Sequence, residues 1–509
     1  MSDYKILFKG SVVRFVTLVC SIAIAFFMMP FIIHTVGDRW YGLWVVIASL
    51  LSFYGMMDLG LSSATQRYLS YSLPKDDNDK INEYFNSSLF VYIGISVIVL
   101  VITTLLVLFA EYFVDDPQDL TTFQMIFAIM GGTLAISFPF FVVNGILVAN
   151  LRYDISANLN LLKIIIRSIL VYIALENGYS IIAMAIITSV TDLAANFVLT
   201  YYAKKLAPWA KLGKRYVKRS TIKKLFSYSG YALLGTTAIK ARTSSAPLII
   251  SNILNLSIVT IYSIAAQFVE YFLQAISAIL SVSFPLLTKN ASLNDHEKQR
   301  SDFILITKLS AIVSTLGMTI IVLLCKPFIT VWMGPEYSES ADIAILLIAG
   351  TAFVSCQQTA HQAFFATNKH NLNAFMATAE AISTITLGIF LTREHGLIGM
   401  AVALIAPQVI IRLFVQPPLI CKIIDISLWQ YLWVIFKQIL ITLLVIAGYY
   451  YISPKFSING YFEILIAACM IGLTHSAISL ISHFSIKEIR LALQAINLNK
   501  LSTRKTTNA

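Results

Sequence analysis

The sequence predicts an all-α integral membrane protein with about fourteen transmembrane helices. Three observations carry that prediction. Of the 509 residues, 58% are hydrophobic and only 12% charged, about half the roughly 25% charge of a water-soluble domain. Apolar stretches of about 18–25 residues recur between short polar breaks along the whole chain. Lysine and arginine gather in every second break. Backbone groups in lipid must bond internally, so a chain crosses as helices or as a closed barrel. These runs are too long and too uniformly apolar for barrel strands, which alternate over about ten residues.

The expected spans are Ser11–Ile33, Tyr41–Leu61, Ser87–Phe109, Thr122–Val148, Ala157–Leu175 and Ile181–Tyr202. After a break come Leu225–Ile250, Ile258–Leu280, Phe303–Cys325, Ala341–Phe365, Leu372–Leu391 and Leu397–Ile420. Leu432–Tyr451 and Tyr461–His483 close the series. The first is read as a retained helix, because no small-residue cleavage site follows it.

Charge sets the orientation. The break after the sixth span holds Lys204, Lys205, Lys211, Lys214, Arg215, Lys218, Arg219, Lys223 and Lys224. Breaks of the same parity hold Arg67, Arg152, Lys298, Arg300 and Lys369, whereas the opposite parity holds Glu111, Asp119, Glu176, Glu336 and Glu339. Basic loops stay in the cytoplasm, so an even number of spans puts both termini there. The net charge of +11 follows from the same rule and implies no nucleic-acid partner.

The basic break divides the chain. The expected organisation is a six-helix lobe over 1–203, a basic cytoplasmic connector over 204–224 and a second six-helix lobe over 225–420. Two additional helices over 421–486 and a cytoplasmic tail over 487–509 complete it. Two halves of equal orientation suggest parallel repeats, an arrangement transporters use to hold cargo near the membrane midplane. The breaks are short, and no Walker A, nucleotide or zinc signature is present. No catalytic residue, metal or cofactor is therefore expected. The five cysteines are scattered and read as small apolar packing residues.

Ionisable residues inside spans cost about 2.5 kcal/mol or more each, so they face a cavity or a partner. The cationic candidates are Arg167, Lys240, Arg242 and Arg412; the acidic ones are Asp192, Glu270 and Glu380. If the cations point inward they line one positive chamber suited to a phosphate headgroup, since guanidinium binds phosphate in two places. The alternative is that Arg167, Lys240 and Arg412 pair with Asp192, Glu270 or Glu380 for structure. The carboxylates can also carry a coupling proton or ion. Lys163 lies one turn from Arg167 on the same helix face. Asp58, in Gly55-Met56-Met57-Asp58-Leu59-Gly60, can cap the next turn or pair with Arg67.

The stretch Gly37-Asp38-Arg39-Trp40-Tyr41-Gly42-Leu43-Trp44, with Tyr54-Gly55 and Asp58-Leu59-Gly60-Leu61, resembles the opening of polysaccharide transporter family proteins. These include the bacterial flippases of lipid-linked O-antigen oligosaccharide, within the superfamily of multidrug, oligosaccharidyl-lipid and polysaccharide exporters. Trp332-Met333-Gly334-Pro335-Glu336-Tyr337 and His395-Gly396-Leu397-Ile398-Gly399 are similar too. The resemblance implies two six-helix lobes around a central cavity and alternating access. It implies export of an undecaprenyl-pyrophosphate-linked repeat unit from the cytoplasmic to the periplasmic leaflet of the inner membrane. A polysaccharide polymerase and its chain-length machinery are candidate partners. Where many relatives carry an acidic residue, Lys240-Ala241-Arg242 is basic, which favours anionic cargo. Two rivals remain: a cation-coupled multidrug exporter, and a membrane polysaccharide polymerase or ligase.

Overall fold

The computed structural model describes residues 3–73, 77–112, 117–227, 230–280, 296–452 and 460–484. The basic tail expected over 487–509 lies outside the described residues. Within them there is no strand. The first helices are α1 (Asp3–Val36), α2 (Asp38–Tyr54), α3 (Leu61–Ser72), α4 (Asn78–Leu108), α5 (Pro117–Ser137) and α6 (Phe140–Ala149). Next come α7 (Tyr153–Glu176), α8 (Ile181–Leu206), α9 (Arg219–Ser227), α10 (Gly230–Ile253) and α11 (Leu256–Leu280). The later ones are α12 (His296–Trp332), α13 (Ser338–Ser355), α14 (Gln358–Ala366), α15 (His370–Ile410), α16 (Gln416–Ile424), α17 (Leu428–Ile452) and α18 (Tyr461–His483).

Among the described residues, 12 stretches are long and apolar enough to cross a membrane. One of them, His370–Ile424, contains a reversal. Gly396 has φ 58 and ψ −138, a conformation open to glycine and strained for other residues. A Cβ on Gly399 would strike the backbone of Leu391, and Thr392 Oγ1 lies 3.5 Å from Met400 Sδ. Such contacts form only when the chain doubles back, so this stretch supplies two crossings. Helix α10 adds a further one: its 24 residues suffice for a span, and Lys240 and Arg242 are what lower its hydropathy. The expected fourteen segments are thus accounted for.

Several spans are broken where sequence reading drew one helix. The fourth is α5 and α6, parted at Pro139; the tenth is α13 and α14, parted at Gln357. The second ends in a 3-10 turn, Gly55–Asp58, followed by Leu59 and Gly60 with positive φ. There Asp58 Oδ1 accepts from the Ser62 N–H at 3.2 Å and from the Tyr92 hydroxyl at 2.5 Å. Its capping role is therefore observed.

These breaks recur at a constant interval. Asp38 and Leu256 each open a helical segment 218 residues apart, as do Phe140 and Gln358. The left-handed residues Leu151 and Asn368 are 217 apart, and Gly178 and Gly396 are 218 apart. The turns after α6 and α14 share one hydrogen-bond pattern. Arg152 N–H donates to the Leu147 carbonyl at 2.9 Å, and Lys369 N–H donates to that of Phe364 at 2.7 Å. The same order of breaks therefore occurs twice along the chain.

The chain packs as two compact units: 1–263 with 374–404, and 264–373 with 405–509. In the first, small residues let helices approach, as membrane packing requires. A Cβ on Gly42 would collide with the Leu256 carbonyl, and Ser52 donates to Ser244 at 2.6 Å between α2 and α10. The 204–224 connector belongs here and is tied down. Asn82 on α4 donates to the Trp209 carbonyl at 2.9 Å and accepts from Lys211 N–H at 2.7 Å. Asn86, one turn on, repeats this with the Lys211 carbonyl at 2.8 Å and Gly213 N–H at 3.0 Å.

In the second unit a buried polar cluster fastens α17 and α18 to α12. Gln438 Nε2 donates to Thr315 Oγ1 at 2.8 Å and to Ser479 Oγ at 2.9 Å. Fully buried His475 sits 3.2 Å from Thr442 Oγ1. Lys308 and Lys437 donate to the carbonyls of His483 and Ser482, placing cations at the negative end of α18.

Candidate functional site

Helix α10 carries two of the predicted cations, and the helix geometry separates them. Residues two apart lie roughly 160° apart around an α-helix. Lys240 is exposed, on a stripe with Thr236 and Thr243, both also exposed. Arg242 is half-buried on another face, the one carrying Ala238, which packs with Ala377 and Ala381 of α15. Lys240 lies about 15 Å of helix rise from the start of α10, well inside the span. The stripe of Thr236, Lys240 and Thr243 was not anticipated as a unit, although its i, i+4, i+7 spacing is visible in the sequence.

Arg167 and Lys163 on α7 meet Asp192 on α8. Arg167 Nη2 donates to Asp192 Oδ1 at 2.6 Å, Arg167 Nε donates to Thr191 Oγ1 at 3.1 Å, and Lys163 Nζ lies 3.0 Å from the same Oδ1. One carboxylate thus faces two cations, leaving a net positive, partly exposed cluster. Asn144 and Asn196 are engaged between helices, with Ser156 at 3.1 Å and Ser137 at 3.1 Å. Glu380, on α15, is 2% exposed. All of these belong to the first unit.

The second unit holds Glu270 and Arg412. Glu270 is exposed on α11, on one face with Gln267, Gln274 and Ser277 at helical spacing. Arg412 is buried at 9% exposure, within a π-helical turn, Ile411–Val415. Pro417 and Pro418 just beyond cannot donate to the carbonyls one turn back, which explains the wider turn. Arg412 donates to Gln416 Oε1, Gln416 donates to Gln357 at 3.3 Å, and the Tyr431 hydroxyl donates to Gln357 at 3.1 Å. Arg412 therefore lies buried within its unit, held by hydrogen bonds to neutral side chains. This unit also has an apolar groove of ≈ 330 Å³ lined by Phe268, Leu324, Phe328, Tyr461, Ile464 and Leu465.

The seven predicted residues divide between the two units. Arg167 meets Asp192, Lys240 stands on an exposed polar stripe, Arg242 and Glu380 lie on α10 and α15, and Glu270 and Arg412 occupy separate surroundings. Among the described residues no group of three His, Cys, Asp or Glu side chains could hold a metal ion.

Comparison with known proteins gives a consistent picture. The family described as "Polysaccharide biosynthesis protein" matches residues 39–342. "Uncharacterized membrane protein EpsK" of Bacillus subtilis (strain 168) is 23% identical over 66% of this chain and 66% of its own length. "Putative O-antigen transporter" of Shigella flexneri is 22% identical over 74% of this chain and 88% of its own. Among solved structures, "Lipid II flippase MurJ, inward closed conformation" superposes with a TM-score of 0.71 at 16% identity, covering 92% of this chain and 98% of that one. At that identity the likeness establishes the fold.

Proposed function

The chain belongs to the polysaccharide biosynthesis protein family, and from that premise we propose that it is a flippase for a lipid-linked oligosaccharide. The cargo is an undecaprenyl-pyrophosphate-linked repeat unit of O-antigen or a related surface polysaccharide. It moves from the cytoplasmic to the periplasmic leaflet of the bacterial inner membrane by alternating access, with both protein termini in the cytoplasm. The named relatives, an O-antigen transporter and a lipid II flippase, support this reading.

The observation that carries it is the stripe of Thr236, Lys240 and Thr243. An ammonium and two hydroxyls lie at membrane depth on an exposed face of α10. Facing lipid, the lysine alone would cost roughly 2.5–3.5 kcal/mol; facing a water-filled passage it costs little and attracts phosphate. The partly exposed Lys163–Arg167–Asp192 cluster adds a second net positive surface. Gln267, Gln274 and Ser277 offer hydrogen bonds to sugar hydroxyls. The apolar groove beside Phe328 and Tyr461 accommodates part of an isoprenoid chain. Of the three carboxylates, exposed Glu270 is the best placed to carry a coupling ion.

A drug exporter of the same fold is the second reading, and the exposed lysine disfavours it because cationic drugs would be repelled. The test is complementation of a deletion strain at matched expression. Lys240→Ala should reduce surface glycan about tenfold or more, a loss of at least about 1.4 kcal/mol of transition-state stabilisation, and Lys240→Arg should restore much of it. Wild-type glycan with Lys240→Ala contradicts the proposal. So does single-repeat glycan on the surface of the deletion strain, the mark of a polymerase.

A further inference from the structure

Three contacts fix how α10 lies on the first part of α15. A Cβ on Gly235 would be 3.6 Å from Ala374 Cα, Ala238 packs with Ala377, and a Cβ on Gly388 would be 3.2 Å from Ile249 Cδ1. In both glycine contacts the partners are 139 residues apart, and the cluster of Ala238 with Ala377 and Ala381 lies between them, so the two helices run parallel and in register. Gly235, Ala238, Arg242, Ser245 and Ile249 form one face of α10 by their 3–4 spacing. Ala374, Ala377, Ala381, Thr384 and Gly388 form the matching face of α15. The register puts Arg242 level with Ala381, beside Glu380.

Every other side chain on the α15 face is small, and Ala377 and Ala381 leave room for a guanidinium. Glu380, at 2% exposure, has a carboxylate buried in the membrane, where an ionised acid persists only with a cation nearby. We infer that Glu380 is the counter-ion of Arg242 and sets which anions Arg242 accepts. Guanidinium has five donors in a planar fork, so one edge can hold the carboxylate while the other meets cargo. A monovalent anion gains little beside a resident carboxylate. A pyrophosphate, with more charge and more acceptor oxygens, competes for the guanidinium. Glu380 is thus a positioning and specificity residue. Its role in anion choice rests on the proposed cargo, whereas the pair itself does not.

The test separates the two. A double-mutant cycle on the full-length protein in detergent, without cargo, uses Arg242→Gln, Glu380→Gln and the double variant. The pair predicts that each single change lowers Tm by several degrees and that the double variant melts no lower than the worse single one, or folds where a single one does not. Additive losses overturn the pair. Binding of inorganic pyrophosphate is then measured by calorimetry. Glu380→Gln, which frees Arg242, should tighten it by roughly tenfold, about 1.4 kcal/mol. A non-additive cycle with unchanged pyrophosphate affinity overturns the role in anion selection and leaves the pair standing.

Discussion

Asp192 Oδ1 on α8 accepts from the Arg167 guanidinium on α7 at 2.6 Å, and Lys163 reaches the same oxygen at 3.0 Å. Removing Asp192 leaves two uncompensated cations at membrane depth, whereas removing Arg167 leaves the Lys163–Asp192 pair and removing both leaves Lys163 alone. Arg167→Ala is expected to lower Tm by a few degrees, and adding Asp192→Ala should cost less than its effect in the wild-type protein. The pair is 27% and 33% exposed at its side chains, so solvent screening keeps the coupling at about 1 kcal/mol. Thermal unfolding of the four proteins measures it directly.

The cluster that fastens the last two helices makes a second expectation. Gln438→Leu removes the donor to Thr315 and Ser479 from a fully buried cluster. Interhelical hydrogen bonds in membranes contribute about 0.6–2 kcal/mol each. The variant should unfold at lower denaturant than wild type by about 1–2 kcal/mol, whereas exchanging exposed Leu443 on the same helix for alanine should change it little.

The connector offers a local readout. Asn86 pins it by donating to the Lys211 carbonyl and accepting from Gly213 N–H. Further along, the hydrogen bond from Lys218 to Glu83 holds the lysine ammonium above its ordinary pKa. In Asn86→Ala, hydrogen exchange at the amide of Gly213 should speed up by tenfold or more, the equivalent of about 1.4 kcal/mol of lost protection. Exchange in α8 should be unchanged. Equal protection in both proteins would mean that the asparagines do not hold the strap.

Much of this was legible in the sequence, because span length and hydropathy answer to bilayer thickness alone. All fourteen segments, and the break between Leu391 and Leu397, follow from that. The breaks were legible only where a residue announces them. Pro139 does so, but Gln357 divides the tenth span with no such mark, and only the 217–218 residue interval relates the two. Charge pairing was less legible. The sequence allowed Arg167 either a cavity or one of Asp192, Glu270 and Glu380 as partner, and helix packing brings it to Asp192. Arg412 donates to Gln416, and the network runs on to Gln357 and Tyr431, neutral residues that hydropathy cannot single out. The separation of Lys240 from Arg242 was available from helix geometry, since residues two apart do not share a face.

The stripe on α10 is where function and fold meet, and its exposure to water can be measured directly. In a variant lacking the five native cysteines, Thr236→Cys, Lys240→Cys and Thr243→Cys should each react with a membrane-impermeant maleimide. Val97→Cys on α4, an exposed apolar position, serves as the lipid-facing control and should stay unlabelled. Labelling of all three, blocked by pyrophosphate, is the expected result. If the three stripe positions are as unreactive as Val97→Cys, α10 presents its lysine to no aqueous passage and the proposed cargo route does not exist.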